Sequence, residues 1–279
     1  MPDRYAVIGH PIGHSQSPLI HGLFARALGH DMVYEAIDGG PDEASFRQAL
    51  ARFRAAGGRG LNVTLPFKQA ALAVADEASD EARRAGAANT LGFEGGRVAA
   101  HNTDGIGLVR DLEANLDQPL AGRSILLLGA GGATRGVLLP LARAGAARIV
   151  IANRGADKAQ ALAAELAPHA GRCALAGGGY AALAREAAFD LVINATSASL
   201  AGAAPAVPAS SFGAGTLAYD MMYGRGLTPF LRLAQQAGCT RLADGVGMLV
   251  EQAAESFAWW RGVRPDTRAA LDWLAVPLT

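Results

Sequence analysis

Four short segments concentrate the groups that could handle a small polar molecule: His14-Ser15-Gln16-Ser17-Pro18, Asn62-Val63-Thr64-Leu65-Pro66-Phe67-Lys68, Ala88-Asn89-Thr90 and Asn102-Thr103-Asp104-Gly105. Together they offer hydroxyls, amides, one ammonium and one carboxylate, a set suited to a small polyhydroxylated acid. A fifth segment, Gly129-Ala130-Gly131-Gly132, has a different chemistry. Glycines at the end of a strand let a pyrophosphate approach the N-terminus of the following helix, whose free N–H groups and dipole favour anions. Thr134 stands where the third glycine of the G-x-G-x-x-G pattern is expected, and Gly136 follows two residues later. The next strand ends Ile151-Ala152-Asn153-Arg154, with Lys158 beyond it and no carboxylate at its end. An arginine there clamps a 2′-phosphate in a planar, bidentate way, whereas a carboxylate would take the ribose of NAD. That combination points to NADP(H). Each residue also has a plainer use: Asp104 before Gly105 and Ser17 before Pro18 read as N-caps, and Lys68, Arg154 and Lys158 as solvated surface charges.

These groups need elements to position them. Tyr5 to Ile8 reads as a buried strand, followed by a helix opening at Ser17-Pro18 with apolar residues at helical spacing and Gly29 at its close. A strand over about Met32 to Ile37, a helix over about Asp42 to Ala56 and a strand over Leu61 to Leu65 follow. Thr90 to Phe93 and Arg97 to Ala100 form a strand pair turning at Gly95-Gly96. The alternation restarts at Ser124 to Leu128, with a helix to about Ala144, a strand Arg148 to Ala152, a helix to Leu166, and strands at Leu191 to Ile193 and Leu217 to Tyr219. The Ala-, Pro-, Ser- and Gly-rich stretch from Ala198 to Gly215 is the longest expected loop. After Gly245 the chain is helical. Strand and helix alternate throughout, which predicts α/β domains with mostly parallel sheets.

Composition narrows the partners. The 279 residues carry 25 Lys and Arg against 25 Asp and Glu, so no net charge draws the chain toward nucleic acid or an anionic membrane. No apolar run reaches the length of a membrane span, and no signal-peptide core follows Met1, so a cytoplasmic setting is expected. Cys173 and Cys239 lack metal-type spacing, predicting reduced thiols and no metal site.

In order along almost the whole chain, the sequence resembles the shikimate dehydrogenase family. The matching segments are Ser15-x-Ser17-Pro18, Asn62-Val63-Thr64 with Pro66-Phe67-Lys68, Asn89-Thr90, Asn102-Thr103-Asp104-Gly105, Gly129-Ala130-Gly131-Gly132, Asn153-Arg154 and Asn194-Ala195-Thr196-Ser197. Tyr219-Asp220-Met221 with Tyr223, and Asp244-Gly245-x-Gly247-Met248-Leu249-x-x-Gln252, complete the set. The resemblance implies an N-terminal α/β substrate domain with a mostly parallel sheet, formed by residues 1–103 and 245–279. Between these parts is inserted a Rossmann-type, doubly wound NADP-binding domain, residues 104–244, with a cleft between the two. It implies that Ser15 and Ser17 hold a substrate carboxylate, closed over by Tyr223, while Thr64, Lys68, Asn89, Asp104 and Gln252 surround the ring hydroxyls and the reacting C3 oxygen. Gly129, Ala130, Gly131, Gly132, Ala133 and Thr134 would bind pyrophosphate, and Asn153, Arg154 and Lys158 the 2′-phosphate. Thr196, Ser197, Met221 and Gly245 would lie along the nicotinamide. Three positions depart from the common pattern: Gln16 between the serines, His101 before Asn102, and Gly155 where a threonine hydroxyl often meets the phosphate.

The implied activity is reversible NADPH-dependent reduction of 3-dehydroshikimate to shikimate, by a monomer or homodimer. Ketone reduction requires neutralisation of a developing oxyanion. Lys68, with a reference pKa of about 10.4, can stabilise or protonate it, and Asp104 would keep the ammonium aimed; the two are expected to act as one coupled unit. Two other functions fit the same residues: a quinate/shikimate dehydrogenase of broader substrate or NAD use, and a non-catalytic module sensing shikimate-like ligands or NADPH. The intact Lys68 and Asp104 speak against the sensor.

Overall fold

The computed structural model describes residues 1–196, 198, 202–224 and 226–275. The chain divides into two compact units, one formed by Met1–Gly107 and Val250–Trp273 and the other by Leu108–Leu249.

The first unit runs β1 (Asp3–Gly9), α1 (Ser17–Leu28), β2 (Met32–Asp38), α2 (Glu43–Ala55), β3 (Gly58–Val63), α3 (Lys68–Ala73), β4 (Glu77–Ala78), α4 (Asp80–Ala85), β5 (Thr90–Glu94) and β6 (Arg97–His101), then the start of α5 (Asp104–Arg110). Its six-stranded sheet has the order β2-β1-β3-β5-β6-β4. The strands β1, β2 and β3 are parallel, while β5 runs antiparallel to both β3 and β6, so the sheet is mixed rather than uniformly parallel. Ala6, Ile8, Leu61 and Val63 point to one buried face, where Phe46, Leu50 and Phe53 of α2 and Phe67 cover them. Asp42 caps α2 by accepting from the Ser45 N–H at 2.8 Å. At α1 the expected cap is displaced by one residue. Gln16 occupies the N-cap without a side-chain bond, Ser17 is the first helical residue, and Gly29 closes the helix as expected.

The second unit continues through a π-helical turn, Asp111–Asn115, to β7 (Ser124–Leu128), α6 (Gly132–Arg143), β8 (Arg148–Asn153), α7 (Ala156–Leu166), β9 (Ala174–Gly179), β10 (Phe189–Asn194), β11 (Phe212–Asp220), α8 (Pro229–Gln236) and β12 (Arg241–Ala243). All its strand pairs are parallel, in the order β12-β11-β10-β7-β8-β9. This is the doubly wound order, with the reversal between β7 and β10, where such sheets bind ligands beyond the strand ends. Ile125 and Leu127 pack into one core and Leu126 and Leu128 into the other, so β7 is buried on both faces and reads as an unbroken apolar run. Helix α9 (Val246–Arg261) begins in this unit, and the chain returns to the first at Val250, ending in α10 (Arg268–Leu274).

Two expected spans shift. The strand read at Leu61 to Leu65 lies at Gly58–Val63, because Gly58 and Gly60 take extended backbone beneath Phe53 and Trp260, where no side chain would fit. The loop read to Gly215 ends earlier, at a 3-10 turn over Ala209–Ser211 and the first residue of β11. Cys173 and Cys239 are free and buried. Among the described residues, no helix is long and apolar enough to cross a membrane.

Candidate active site

In the first unit, the polar segments converge because neighbouring strands end together. β3 leads through Thr64 to Phe67, which is buried against Phe46 with ring centroids 4.9 Å apart. That anchor fixes the start of α3, whose first residue is Lys68. On the other side, Asn102 Oδ1 accepts from the Asp104 N–H at 3.1 Å and so directs the entry to α5. Asp104 is therefore not the expected cap; both its oxygens are used elsewhere. Lys68 Nζ donates to Asp104 Oδ2 at 2.6 Å, and Asn89 Nδ2 donates to Oδ1 at 2.8 Å. The pair is mostly covered, with side-chain exposures of 28% for Lys68 and 16% for Asp104.

Asn89, buried ahead of β5, is the hub. Its Oδ1 accepts from the Thr103 N–H at 2.9 Å, which fixes the amide orientation, since a backbone N–H can only donate. Its Nδ2 then faces Asp104, Thr103 Oγ1 at 2.9 Å and Gln252 Oε1 at 3.1 Å. Gln252 reaches this point because α5 and α9 approach closely at Gly107, where a Cβ would stand 2.6 Å from that of Gln252.

The serine end is built on α1. Ser15 Oγ accepts from the Ser17 N–H at 3.3 Å, and Ser17 is buried. The Ser17 N–H is thus taken and Pro18 has none, so what α1 offers a carboxylate is the serine hydroxyls at the positive end of its dipole. The Ser17 hydroxyl bears on that of Tyr34, which donates to Asn62 Oδ1 at 2.7 Å. Burial drives the Tyr34 phenol well above its ordinary range. Thr64 packs against Gly9. Tyr34 was not singled out from sequence, and Asn62 stood there only as part of a polar segment with no role; their meeting depends on strand register, which motif reading does not supply.

In the second unit, Gly129 follows β7 at φ 101°, a left-handed conformation, and a Cβ there would stand 2.9 Å from Thr196 Cγ2. Thr134 is fully buried and donates to the Gly129 carbonyl at 2.8 Å, so its hydroxyl shapes the turn from beneath. Gly131 is the N-cap of α6 and has no side-chain cap, and the space above Gly131 and Gly132 is open. Free N–H groups with an open approach, continued through Ala130 and Ala133, fit a pyrophosphate. Asn153 closes β8 with a bond from Nδ2 to the Gly155 carbonyl at 3.0 Å, and Arg154 and Lys158 are exposed beside it with no ion pair among the described residues. That donor set fits a 2′-phosphate. Across the reversal point, the buried Asn194 donates to Asp220 and accepts from both the N–H and hydroxyl of Thr196, while its carbonyl accepts from the Met221 N–H. These bonds tie together the ends of β10 and β11. Gly245 packs against the Met221 carbonyl, and its N–H donates to Met222. Tyr223 is partly exposed in this unit, its phenol raised by burial and by the nearby Asp244. Ser197 lies outside the described residues.

Three family models match the chain. Residues 7–91 match the shikimate dehydrogenase substrate binding domain, 111–202 the shikimate / quinate 5-dehydrogenase model, and 245–272 the shikimate 5′-dehydrogenase C-terminal domain. The chain is 56% identical to the shikimate dehydrogenase (NADP(+)) of Aromatoleum aromaticum over 96% of its length and 95% of that protein. It is 55% identical to that of Dechloromonas aromatica, covering 97% of each. Among solved structures, an Ael1 enzyme from Pseudomonas putida superposes with a TM-score of 0.92 at 56% identity, over 99% of this chain and all of that one. The shikimate 5-dehydrogenase of Thermus thermophilus in complex with NADP(H) and shikimate does so with a TM-score of 0.83 at 38% identity, covering 97% of each chain. The chain belongs to the shikimate dehydrogenase family.

Proposed function

We propose that the protein catalyses the reversible NADPH-dependent reduction of 3-dehydroshikimate to shikimate. The observation that carries this reading is the bonded set Lys68–Asp104–Asn89–Gln252 in the same unit as Ser15 and Ser17. NADPH, when bound, supplies the hydride.

The protein's own residues do the rest. The hydroxyls of Ser15 and Ser17, at the positive end of the α1 dipole, hold the substrate carboxylate, to which Tyr223 is also assigned. Thr64, Asn89 and Gln252 meet the ring hydroxyls, each able to donate and accept. Lys68 Nζ stands at the C3 oxygen. Both Asp104 oxygens accept from groups that have no lone pair to return, the ammonium and the Asn89 amide nitrogen. With Asp104 held as the acceptor of this pair, Lys68 Nζ is assigned as the proton carrier. As negative charge grows on the C3 oxygen, Lys68 stabilises it and delivers that proton, while Asp104 keeps the ammonium aimed and hands on its replacement. The pair works as a unit. In the second unit, Gly129 to Ala133 take the pyrophosphate, Asn153, Arg154 and Lys158 the 2′-phosphate, and Thr196, Met221 and Gly245 flank the nicotinamide.

Steady-state turnover with shikimate and quinate, each with NADP and NAD, tests the reading. Shikimate with NADP should give the highest kcat/KM. A preference for quinate or for NAD would move the protein to the broader dehydrogenases, and ligand binding without turnover would make it a sensor.

A further inference from the structure

The bonds that hold Asn89 continue away from the catalytic pair into a buried group of hydroxyls. Asn62 of β3 lies opposite Thr90 of β5 in the antiparallel register, and α9 packs over both. One helical turn beyond Gln252, α9 presents Ser256, which has no exposed surface. Its Oγ lies 2.8 Å from Thr90 Oγ1 and 3.1 Å from Thr103 Oγ1, and it accepts from Asn62 Nδ2 at 2.9 Å. It is also 3.0 Å from the Gln252 carbonyl, the usual back-bond of a helical serine.

Counting hydrogens gives this cluster a direction. Thr90 donates its only hydroxyl hydrogen to Asn89 Oδ1 at 2.9 Å. In the Thr90–Ser256 contact, Thr90 must then accept, and the one hydrogen of Ser256 is shared between Thr90 Oγ1 and the Gln252 carbonyl, which favours the Thr90 rotamer that serves Asn89. Thr103 Oγ1, the second neighbour of Ser256, accepts from Asn89 Nδ2 at 2.9 Å. Ser256 thus touches both hydroxyls that bracket the Asn89 amide, one at its oxygen and one at its nitrogen.

We propose that Ser256 is a positioning residue of this active site: through Thr90 and Thr103 it keeps Asn89 Nδ2 aimed at Asp104. The inference rests on the reaction proposed above. Ser256 meets neither substrate nor cofactor in this role, and Asn89 is one of several groups at the ring hydroxyls, so loss of Ser256 should appear in turnover more than in substrate binding.

The test uses Ser256→Ala and the near-isosteric Thr90→Val, singly and together, in the full chain. Three quantities are read: kcat and KM for 3-dehydroshikimate at saturating NADPH, thermal unfolding, and the Asn89 side-chain amide signal in ¹⁵N-labelled protein. Each single variant should lower kcat on the order of 10-fold, change KM less than about 2-fold and shift the Asn89 signal. The double variant should be little worse than the poorer single, because both act through one amide. Wild-type kcat in both singles, or losses that multiply in the double, would overturn the proposal. If Ser256→Ala does not fold, Thr90→Val decides by the same kcat and signal. If the wild type itself fails to turn over 3-dehydroshikimate, the proposed function falls. The Asn89 signal still decides the positioning: moved in Ser256→Ala upholds it, unmoved overturns it.

Discussion

Asp104→Asn alters the catalytic pair with almost no change of volume, so its effect can be worked out from hydrogen-bond polarity. The carboxylate accepts Lys68 Nζ at 2.6 Å on one oxygen and Asn89 Nδ2 at 2.8 Å on the other. An amide has one acceptor and one donor end, so either orientation sets an NH₂ against a group that can only donate. Asn89 cannot turn to accommodate it, because the Thr103 N–H holds its oxygen. Hydrogen bonds to a charged partner contribute about 1.5–3 kcal/mol, and a misplaced acid–base group costs about 10²–10⁴ in rate. We expect kcat for 3-dehydroshikimate reduction to fall by about 10²–10⁴, with KM rising less than about 10-fold. The loss of stability should stay near 2 kcal/mol or less, because the pair retains some exposure. Loss of NADPH absorbance, in steady state and in a single turnover, reads the rate, and thermal unfolding reads the stability. A variant with kcat within about 3-fold of wild type, or one in which only KM changes, would refute the reasoning.

Arg154→Ala should raise KM for NADPH by about 10- to 100-fold and leave NADH use nearly unchanged, since the lost interaction is one charge-assisted phosphate contact; equal losses with both cofactors would reject the clamp. Gly129→Ala should lose NADPH affinity and some stability together, because the residue sits at φ 101° with Thr196 Cγ2 2.9 Å from the added Cβ. A wild-type affinity measured by cofactor titration would count against the strained turn. His21 is fully buried, flat against Tyr34 with centroids 4.1 Å apart, and burial lowers its pKa from 6.5 to about 3. Between those values the unfolded chain binds a proton that the folded chain refuses. Stability is thus whole above pH 6.5 and falls as the pH drops toward 3, by up to about 5 kcal/mol. His21→Phe should flatten the decline of Tm with acid over that window, and an unchanged slope would contradict the assignment.

The second unit was the more legible in sequence. Ser124 to Leu128 is an apolar run buried on both faces, so its bounds follow from composition alone, and the glycine turn after it announces the ligand end. The short elements were not legible. β4 has two residues and β12 three, too few for any period to register, and they exist only because β6 and β11 offer them an edge. The return of the chain to the first unit at Val250 leaves no periodic signature either, because α9 continues across it without a break. At the site, motif order led to Lys68, Asp104, Asn89 and Gln252, which share one bonded set. The capping reading of Asp104 failed because Asn102, two residues earlier, accepts the helix-start N–H and frees the carboxylate. Thr134 looks like a ligand-facing hydroxyl in sequence, but helix phase turns it under the loop. Tyr34, Asn62 and Ser256 are far apart in the chain and meet only through strand register and the docking of α9. No local spacing could have joined them.

The central claim is that Lys68 delivers the proton at the C3 oxygen while Asp104 and Asn89 hold it there. It is tested most directly by comparing Lys68→Ala with the wild type for both shikimate binding and 3-dehydroshikimate turnover. The account predicts a turnover loss of about 10²–10⁴ with shikimate affinity reduced far less. Equal losses in binding and turnover would contradict it, reducing Lys68 to a group that only holds the substrate.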